Sequence, residues 1–236
     1  MKYVINPKYC FLEEFIYSVP ENFTFTGELI YSGRNILKLY EVQGCRLVVK
    51  SFKVPHIINR FVYMNIRRSK ARRSFEYANY LLEQGIYTPE PVAFIEDCSG
   101  LGLNHSFYVS LECPFKRNLR EFWYVPEIGD RMPILESFAR YTADMHEKGI
   151  LHKDYSSGNV LFEVKNDRPS FALVDINRMK FGKIGEEEGY KNFDRLWLPD
   201  ETYKVIAYNY ALARGFNPQY AIERICYFKD KRMSNS

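Results

Sequence analysis

Three short apolar runs lie close together near the start of the chain, and polar turns separate them. The runs are Glu28–Tyr31, Ile36–Val42 and Cys45–Phe52. The turns between them are Ser32-Gly33-Arg34-Asn35 and Gln43-Gly44. Apolar runs of this length, joined by turns that contain Gly and Asn, are typical of antiparallel hairpins. The segment therefore predicts a meander of three strands.

A helix and two further strands are predicted next. Apolar residues recur at helical spacing at Ala71, Phe75, Ala78 and Leu82, and Gly85 follows them. The proline-containing stretch 88–91 then precedes two strand-like runs, Val92–Ile95 and Phe107–Leu111. We expect a first lobe, residues 1–112, with an antiparallel sheet and one main helix.

Helical patterns dominate after Cys113. A helix is predicted from Pro133 to about Gly149, a short hairpin follows over residues 160–174, and helices return from about Asp194. We expect a second lobe, residues 113–236, that is compact and mostly helical. The two lobes together predict a two-lobed α+β fold.

Composition narrows the class of protein. Apolar residues make up 46% of the chain and charged residues 26%, which is typical of a globular protein with a core. The five cysteines are scattered, and the sequence shows neither a signal-peptide pattern nor an apolar stretch of about 18 residues. We expect a reduced, cytoplasmic protein without a membrane span.

The most informative polar segment runs from His152 to Phe162, between a predicted helix end and a predicted strand. It carries Asp154 and Asn159 five positions apart. A carboxylate in such a loop can orient a hydroxyl and accept its proton, and an amide oxygen can bind a hard cation. The alternative is a polar loop with an Asx-turn and no chemistry.

Asp175 ends the apolar strand that follows this loop through the hairpin. It should therefore lie beside Asn159, where the two side chains would form an oxygen-rich site suited to magnesium with nucleotide phosphates. The alternative is an ordinary aspartate in the turn after a strand.

Lys50 ends the buried run of the third strand and needs a carboxylate or a phosphate as partner. The candidate carboxylate is Glu76 on the following helix. The alternative is that Lys50 extends into solvent and that Glu76 pairs with Arg72 or Arg73 one turn earlier.

The turn of Gly33, Arg34 and Asn35 is a weaker candidate. Backbone N–H groups at such a turn can hold phosphates, although most glycine-containing hairpin turns bind nothing.

These features occur in one order along the chain, and that order resembles the parts of protein kinases: phosphate loop, strand lysine, helix glutamate, catalytic loop and metal-binding aspartate. The resemblance implies that ATP lies between the lobes, with its adenine near Leu111, Glu112 and Cys113. It also implies that Lys50 holds the nucleotide phosphates and that Glu76 orients Lys50.

The resemblance further implies that Asn159 and Asp175 hold Mg²⁺ and that Asp154 is the catalytic base. Several departures accompany it. Ser156 replaces the catalytic-loop lysine of protein kinases, and Asp175 precedes Ile176-Asn177 instead of Phe-Gly. The phosphate loop lacks the full glycine pattern, and the short stretch after Asp175 has no Ala-Pro-Glu motif, which disfavours a protein substrate.

A narrower resemblance is to the bacterial lipopolysaccharide core kinases that phosphorylate Kdo or heptose. The motifs that carry it are Ser74-Phe75-Glu76-Tyr77, Thr88-Pro89-Glu90-Pro91, Gly158-Asn159-Val160-Leu161 and Asn192-Phe193-Asp194-Arg195-Leu196. It implies phosphorylation of a sugar hydroxyl of the inner core at the cytoplasmic face of the inner membrane. In the wider fold an aspartate after the catalytic loop ties that loop down, which makes Asp194 a structural candidate; a surface pair with Arg195 is the alternative.

A basic segment, residues 60–73, contains six Lys and Arg residues and no acidic residue. They are Arg60, Arg67, Arg68, Lys70, Arg72 and Arg73. We expect the segment to contact an anionic membrane or glycolipid, the alternative being a solvated helix face. No aromatic RNA-binding motif accompanies it, so we expect no nucleic-acid partner. Other open functions are a small-molecule or protein Ser/Thr kinase and a nucleotide-binding pseudokinase.

Overall fold

The computed structural model describes residues 1–52, 68–99, 102–124 and 131–234. The chain divides into two compact units, Met1–Cys113 and Pro114–Ser236. Each unit has its own sheet or sheets and its own helices.

The described part of the N-terminal unit forms one antiparallel sheet of six strands in the order β1-β5-β6-β4-β3-β2. The strands are β1 Lys2–Ile5, β2 Glu28–Ser32, β3 Asn35–Val42, β4 Cys45–Phe52, β5 Pro91–Ser99 and β6 Gly102–Leu111. The predicted meander is confirmed as β2, β3 and β4. The two later strands are also confirmed, each longer than predicted because β5 and β6 pair beyond their most apolar residues.

Within the described residues, one helix covers each face of this sheet. Helix α1, Glu13–Asn22, follows a 3-10 turn at Pro7–Leu12, and its residues Ile16 and Val19 pack in a core with Leu47 and Val49 of β4. The expectation of one main helix was therefore incomplete. The physical reason is that α1 has no side-chain cap at its start and contains a proline, so its local signal is weak.

Helix α2, Lys70–Glu83, is the predicted one. Ser69 caps its first turn by accepting a hydrogen bond from the Arg72 N–H (3.0 Å). Its apolar side packs on the sheet face opposite α1, where the rings of Phe75 and Phe94 meet edge to face at 5.4 Å. Leu47 and Val49 of β4 face α1. Because side chains alternate along a strand, Lys50 lies on the opposite face, which α2 covers.

The described C-terminal unit is mostly helical, as predicted. Its helices are α3 Glu121–Tyr124, α4 Arg131–Glu147, α5 Glu186–Lys191, α6 Asp200–Arg214 and α7 Pro218–Met233. Its strands are β7 Arg117–Asn118, β8 Ile150–His152, β9 Val160–Lys165, β10 Arg168–Leu173 and β11 Met179–Phe181. They form a sheet in the order β10-β9-β7 and a separate β11-β8 pair.

Aromatic packing ties α4 to the strands and to the segment before α6. Phe138 of α4 stacks on Tyr155 at 5.7 Å and meets Phe171 of β10 and Phe193 within 6.4 Å. Tyr155 lies in the predicted catalytic loop and is fully buried. The loop is therefore anchored in the core of this unit. None of the helices in the described ranges is long and apolar enough to cross a membrane.

Candidate active site

The backbone of the loop after β8 is fixed on both sides. Strand β8 pairs with β11, and this pairing continues as the Lys153 N–H donates to the carbonyl oxygen of Arg178 (2.8 Å). At the other end, a 3-10 turn at Ser157–Asn159 leads into β9. The loop is thus a short connection between two small sheets. The sequence predicted the strand after it, and the short strand β8 lies between the loop and the predicted helix end.

His152 connects the loop to the end of β10. Its Nδ1 accepts a hydrogen bond from the Asp154 N–H (3.1 Å), so Nε2 carries the proton and donates to the carbonyl oxygen of Val174 (3.1 Å). Burial lowers the pKa of His152, which keeps the imidazole neutral in this tautomer. The ring therefore holds Asp154 in register with the strand end that carries Asp175.

Asn159 makes a second connection to the same strand end. Its Nδ2 donates to the carbonyl oxygen of Asp154 (2.8 Å), and its own carbonyl oxygen accepts from the Val174 N–H (3.0 Å). The side-chain Oδ1 takes no part in these bonds. The structure thus brings Asn159 next to Asp175, as predicted from the hairpin between them.

Asp175 has an unusual backbone conformation, with φ of 54°, in the left-handed region. Such a conformation costs about 1 kcal/mol or more for a residue with a Cβ, and it persists where surrounding contacts enforce it, often at functional sites. Asn177 Nδ2 donates to the Asp175 carboxylate (2.5 Å) and fixes its direction.

The chemistry of these donors fits magnesium. An amide oxygen of Asn159 and a carboxylate of Asp175 are hard ligands on adjacent backbone segments, and Mg²⁺ is commonly held by one or two such groups together with substrate phosphates. No cluster of three or more His, Cys, Asp or Glu side chains suited to a metal occurs in the described parts of the chain. The residues therefore fit a metal that arrives with a nucleotide better than an all-protein metal centre.

Two arginines that the sequence analysis did not assign hold the Asp154 carboxylate. Arg178 Nη1 donates to both oxygens at 3.0 Å, and Arg195 Nη1 donates to Oδ1 at 2.9 Å. One sequence signal pointed to such residues. Ser156 stands where protein kinases have the loop lysine, so another residue would have to supply that positive charge.

A buried polar chain supports the loop from below. Asn192 Nδ2 donates to the carbonyl oxygen of His152 (2.8 Å), so the Asn192 Oδ1 accepts from His146 Nε2 (3.0 Å). His146 Nδ1 then accepts from the hydroxyl of Tyr210 (2.8 Å), which itself accepts from Arg214 Nη1 (2.9 Å). Burial is the main cause that lowers the pKa of His146 to about 4.

The expected tie to the catalytic loop is therefore made by Asn192, two residues before Asp194. The Asp194 carboxylate lies 4.0 Å from Nε of Arg195, and partial burial raises its pKa. Sequence reasoning selected the right motif but the wrong member, because an amide can donate to a carbonyl oxygen and an ionised carboxylate cannot.

Arg120 packs against the same loop. Its guanidinium lies over Gly158, so that a Cβ at this glycine would come within 2.5 Å of Arg120 Nη2. A side chain at position 158 would require this arginine to move.

The candidates in the N-terminal unit have other neighbours. Lys50 lies opposite Tyr108 and Leu37 in the sheet, with Nζ 5.3 Å from the centre of the Phe52 ring. Glu76 pairs with Arg68 (2.6 Å) and with Arg72 (2.8 Å). The structure thus gives Glu76 an arginine partner one turn earlier, which is the alternative left open above, and its orientation of Lys50 stays a prediction.

The turn after β2 gives little support to a phosphate loop. Gly33 is not in the left-handed region, and a Cβ there would meet only the end of the flexible Tyr31 side chain. Arg34 is exposed, and Asn35 begins β3, with its carbonyl oxygen accepting from the Gly33 N–H (3.1 Å). Binding of phosphate by these residues stays a prediction.

The predicted adenine contacts end the N-terminal unit. The Glu112 carboxylate pairs with Nε of Arg46 (2.6 Å), and the Glu112 N–H donates to the carbonyl oxygen of Arg46 (2.8 Å). Cys113 is half-buried. The Glu112 side chain thus faces an arginine, and the contact of this segment with adenine stays a prediction.

Part of the basic segment, including Arg60 and Arg67, lies outside the described residues. Within the described part, Arg68 and Arg72 share the Glu76 carboxylate, and Lys70 Nζ lies 5.9 Å from the centre of the Phe52 ring. Glu76 thus offsets part of the positive charge that the sequence shows.

Solved structures share this fold. WaaP in complex with acyl carrier protein matches with a TM-score of 0.69 and 18% identity over 99% of each chain. A candidate aminoglycoside phosphotransferase from Ralstonia eutropha JMP134 matches with a TM-score of 0.56 and 12% identity, over 86% of this chain and 80% of its own. These two matches show that the chain has a protein-kinase-like fold.

The sequence itself identifies the family. The lipopolysaccharide kinase (Kdo/WaaP) family matches residues 38–204, and the chain belongs to that family. No curated protein matches the chain in a sequence search. The predicted resemblance to lipopolysaccharide core kinases is confirmed, as is the prediction of a kinase.

Proposed function

We propose that this lipopolysaccharide kinase transfers the γ-phosphoryl group of ATP, with Mg²⁺, to a sugar hydroxyl of Kdo or heptose in the inner core. The observation that carries the proposal is the set of hydrogen bonds that joins Asp154 and Asn159 to His152 and to Val174, the residue before Asp175. A candidate base and two candidate metal ligands are held by one small set of backbone contacts. Family membership supports the lipopolysaccharide acceptor.

Asp154 orients the acceptor hydroxyl in the proposed reaction. As the hydroxyl oxygen bonds to the γ-phosphorus, its proton passes to the Asp154 carboxylate, and the bond from that phosphorus to the bridging oxygen breaks to release ADP. His152 and Asn159 hold the Asp154 backbone, so little reorganisation is needed in the transition state.

Asn159 and Asp175 would hold the metal, which when bound neutralises negative charge on the nucleotide phosphates. Lys50 would bind those phosphates, and Glu76 would orient Lys50 after exchanging an arginine partner for it. The backbone of residues 111–113 would accept the adenine, and residues 33–35 would cover the phosphates.

The acceptor places the enzyme at a membrane. We propose peripheral attachment at the cytoplasmic face of the inner membrane, through the basic segment of residues 60–73. This proposal is supported by the run of Lys and Arg in the sequence and by the lipid-linked acceptor of the family.

Mass spectrometry of lipopolysaccharide from cells with and without the protein tests this function. We expect the core from cells that lack it to be lighter by one phosphate, and fragmentation to place that phosphate on Kdo or on heptose. Complementation with the parent gene should restore it. An unchanged core in cells that lack the protein would contradict the proposed acceptor.

A further inference from the structure

The positive charge next to the Asp154 carboxylate exceeds its single negative charge. Arg178 and Arg195 both donate to it, and Lys153 precedes it in the loop with an exposed side chain. The Asp194 carboxylate also lies 4.0 Å from Nε of Arg195. Two carboxylates therefore face the two guanidinium groups, and Lys153 adds positive charge beside the group that we assign as the base.

Both arginines are positioned by the catalytic loop itself. The carbonyl oxygen of Arg178 accepts from the Lys153 N–H (2.8 Å), which fixes its Cα next to the loop. Arg195 lies in the same 3-10 turn as Asn192, whose side chain donates to the carbonyl oxygen of His152 (2.8 Å). The backbone of both arginines is therefore held close to the loop that carries Asp154.

The fold gains little stability from these ion pairs. The side chains of Arg178 and Arg195 are 53% and 32% exposed, and that of Asp154 is 23% exposed. Ion pairs with exposed partners contribute about 0–1 kcal/mol. A structural role alone does not explain two of them on one carboxylate.

We propose that Arg178 and Arg195 form an oxyanion-binding subsite at the acceptor end of the active site. They would supply the cation that protein kinases carry two residues after the catalytic aspartate, where this chain has Ser156. A guanidinium presents a planar fork that matches phosphate and carboxylate, and it stays charged at all working pH values. The inference rests on the proposed function.

Two different groups would present the oxyanion that this subsite binds. The oxyanion is either the phosphoryl group in transfer or an anionic group of the core sugar near the acceptor hydroxyl. Arg178 has the more exposed side chain and directs one nitrogen at Asp154, so its fork can reach a ligand while Arg195 keeps the carboxylate in place.

The test uses the full chain with Arg178→Gln and Arg195→Gln, which keep a polar hydrogen-bonding side chain but remove the charge. Arg224→Gln is the matched control, because Arg224 of α7 also holds one carboxylate, that of Glu187, through two hydrogen bonds. For each protein, kcat and KM are measured with core acceptor, together with binding of ADP alone and of ADP with magnesium and aluminium fluoride.

We expect kcat/KM to fall by roughly 10²-fold in each site variant, with ADP binding and thermal unfolding close to the parent. If the phosphoryl group is the ligand, the gain in affinity from aluminium fluoride is lost as well. If the acceptor's anion is the ligand, that gain is kept, and KM rises for an anionic acceptor but not for a neutral one. The Arg224→Gln protein should match the parent throughout.

Two different results would overturn the inference. An active parent with site variants within about threefold of it in kcat/KM would reject the subsite alone, because a single preorganised donor to a transition state is worth about 10² or more. A parent without nucleotide turnover or phosphate transfer would reject the proposed function and the subsite with it. Should Arg195→Gln fail to fold, the more exposed Arg178→Gln decides.

Discussion

Asp154, the proposed base, is oriented by a small number of contacts. Its N–H is fixed by His152, its carbonyl oxygen by Asn159 and its carboxylate by two arginines. Position and direction are therefore both set before an acceptor arrives. This is the preorganisation that phosphoryl transfer requires, since positioning and charge provide most of the catalysis.

The charge of Asp175 can be removed by substitution without changing its backbone conformation. Asparagine tolerates a left-handed φ about as well as aspartate does, so Asp175→Asn removes a hard anionic ligand without new strain. We expect the magnesium concentration needed for binding a fluorescent nucleotide to rise by about tenfold or more.

The matched control for this titration is Asp167→Asn. Asp167 has a φ of 58° in the turn between β9 and β10 and is exposed. This variant should titrate like the parent. Coinciding curves for Asp175→Asn and the parent would make Asp175 an ordinary turn residue.

Some site residues could be predicted from the sequence and others could not. Asp154, Asn159 and Asp175 lie within one loop and one hairpin, so local spacing was enough to place them together. Arg178 and Arg195 meet Asp154 from different segments, and only tertiary packing brings them there. No local pattern records such a contact.

At the level of elements, periodicity predicted those with strong local signals and missed those held by packing. Helix α2 has a serine cap and clear apolar spacing, and its bounds were nearly right. Helix α1 lacks a cap, and β1 is a four-residue edge strand that pairs with β5. Both are stabilised by burial against the sheet, which a short sequence window does not show.

Three helical segments meet in the polar chain below the catalytic loop. Tyr210 of α6, His146 of α4 and Asn192 before α6 are linked by hydrogen bonds that end on His152. This series of hydrogen bonds requires a neutral His146, because its Nδ1 must accept from the Tyr210 hydroxyl. Protonation would break this alternation of donors and acceptors.

A pH dependence of stability follows from His146. Burial holds its pKa at about 4 in the folded chain, against an ordinary value of 6.5, so the unfolded chain binds the extra proton between these values. The contribution is complete above pH 6.5 and is lost as the pH falls toward 4. We expect this loss to lower the free energy of unfolding by on the order of 2 kcal/mol between pH 7 and pH 4.5.

Urea unfolding at both pH values measures this loss. His146→Gln cannot titrate and should show a smaller fall than the parent, whereas His105→Gln, at an exposed position in β6, should behave like the parent. His152 is also buried with a lowered pKa and adds a loss of the same sign to all three proteins. Equal falls in the parent and in His146→Gln would contradict a neutral buried His146.

At the scale of the whole molecule, the proposed membrane contact of the basic segment can be tested by removing its charge. Replacing Arg67, Arg68 and Lys70 with Gln should abolish co-sedimentation with anionic liposomes, since each cation contributes about 1 kcal/mol near such a surface. Activity on a membrane-bound acceptor should fall with it, and activity on a soluble sugar acceptor should change little. Added salt should weaken binding of the parent.

The control replaces three cations in exposed ion pairs of the C-terminal unit, Arg140, Lys148 and Lys204, with Gln. It removes the same charge and should keep liposome binding. If the parent does not bind liposomes, or if both triple variants bind like the parent at low salt, the segment is not a membrane contact.

The central claim is that phosphate transfer depends on Asp154 as the base, and a labelled transfer assay tests this claim most directly. Purified protein is incubated with ATP labelled in the γ-phosphate, magnesium and dephosphorylated core lipopolysaccharide, and label in the core is counted. We predict transfer by the parent and by Asp144→Asn, a control carboxylate paired with Lys148 on α4. Asp154→Asn should be slower by roughly 10²–10⁴-fold with nucleotide binding retained. Near-normal transfer by a folded Asp154→Asn protein would contradict the account.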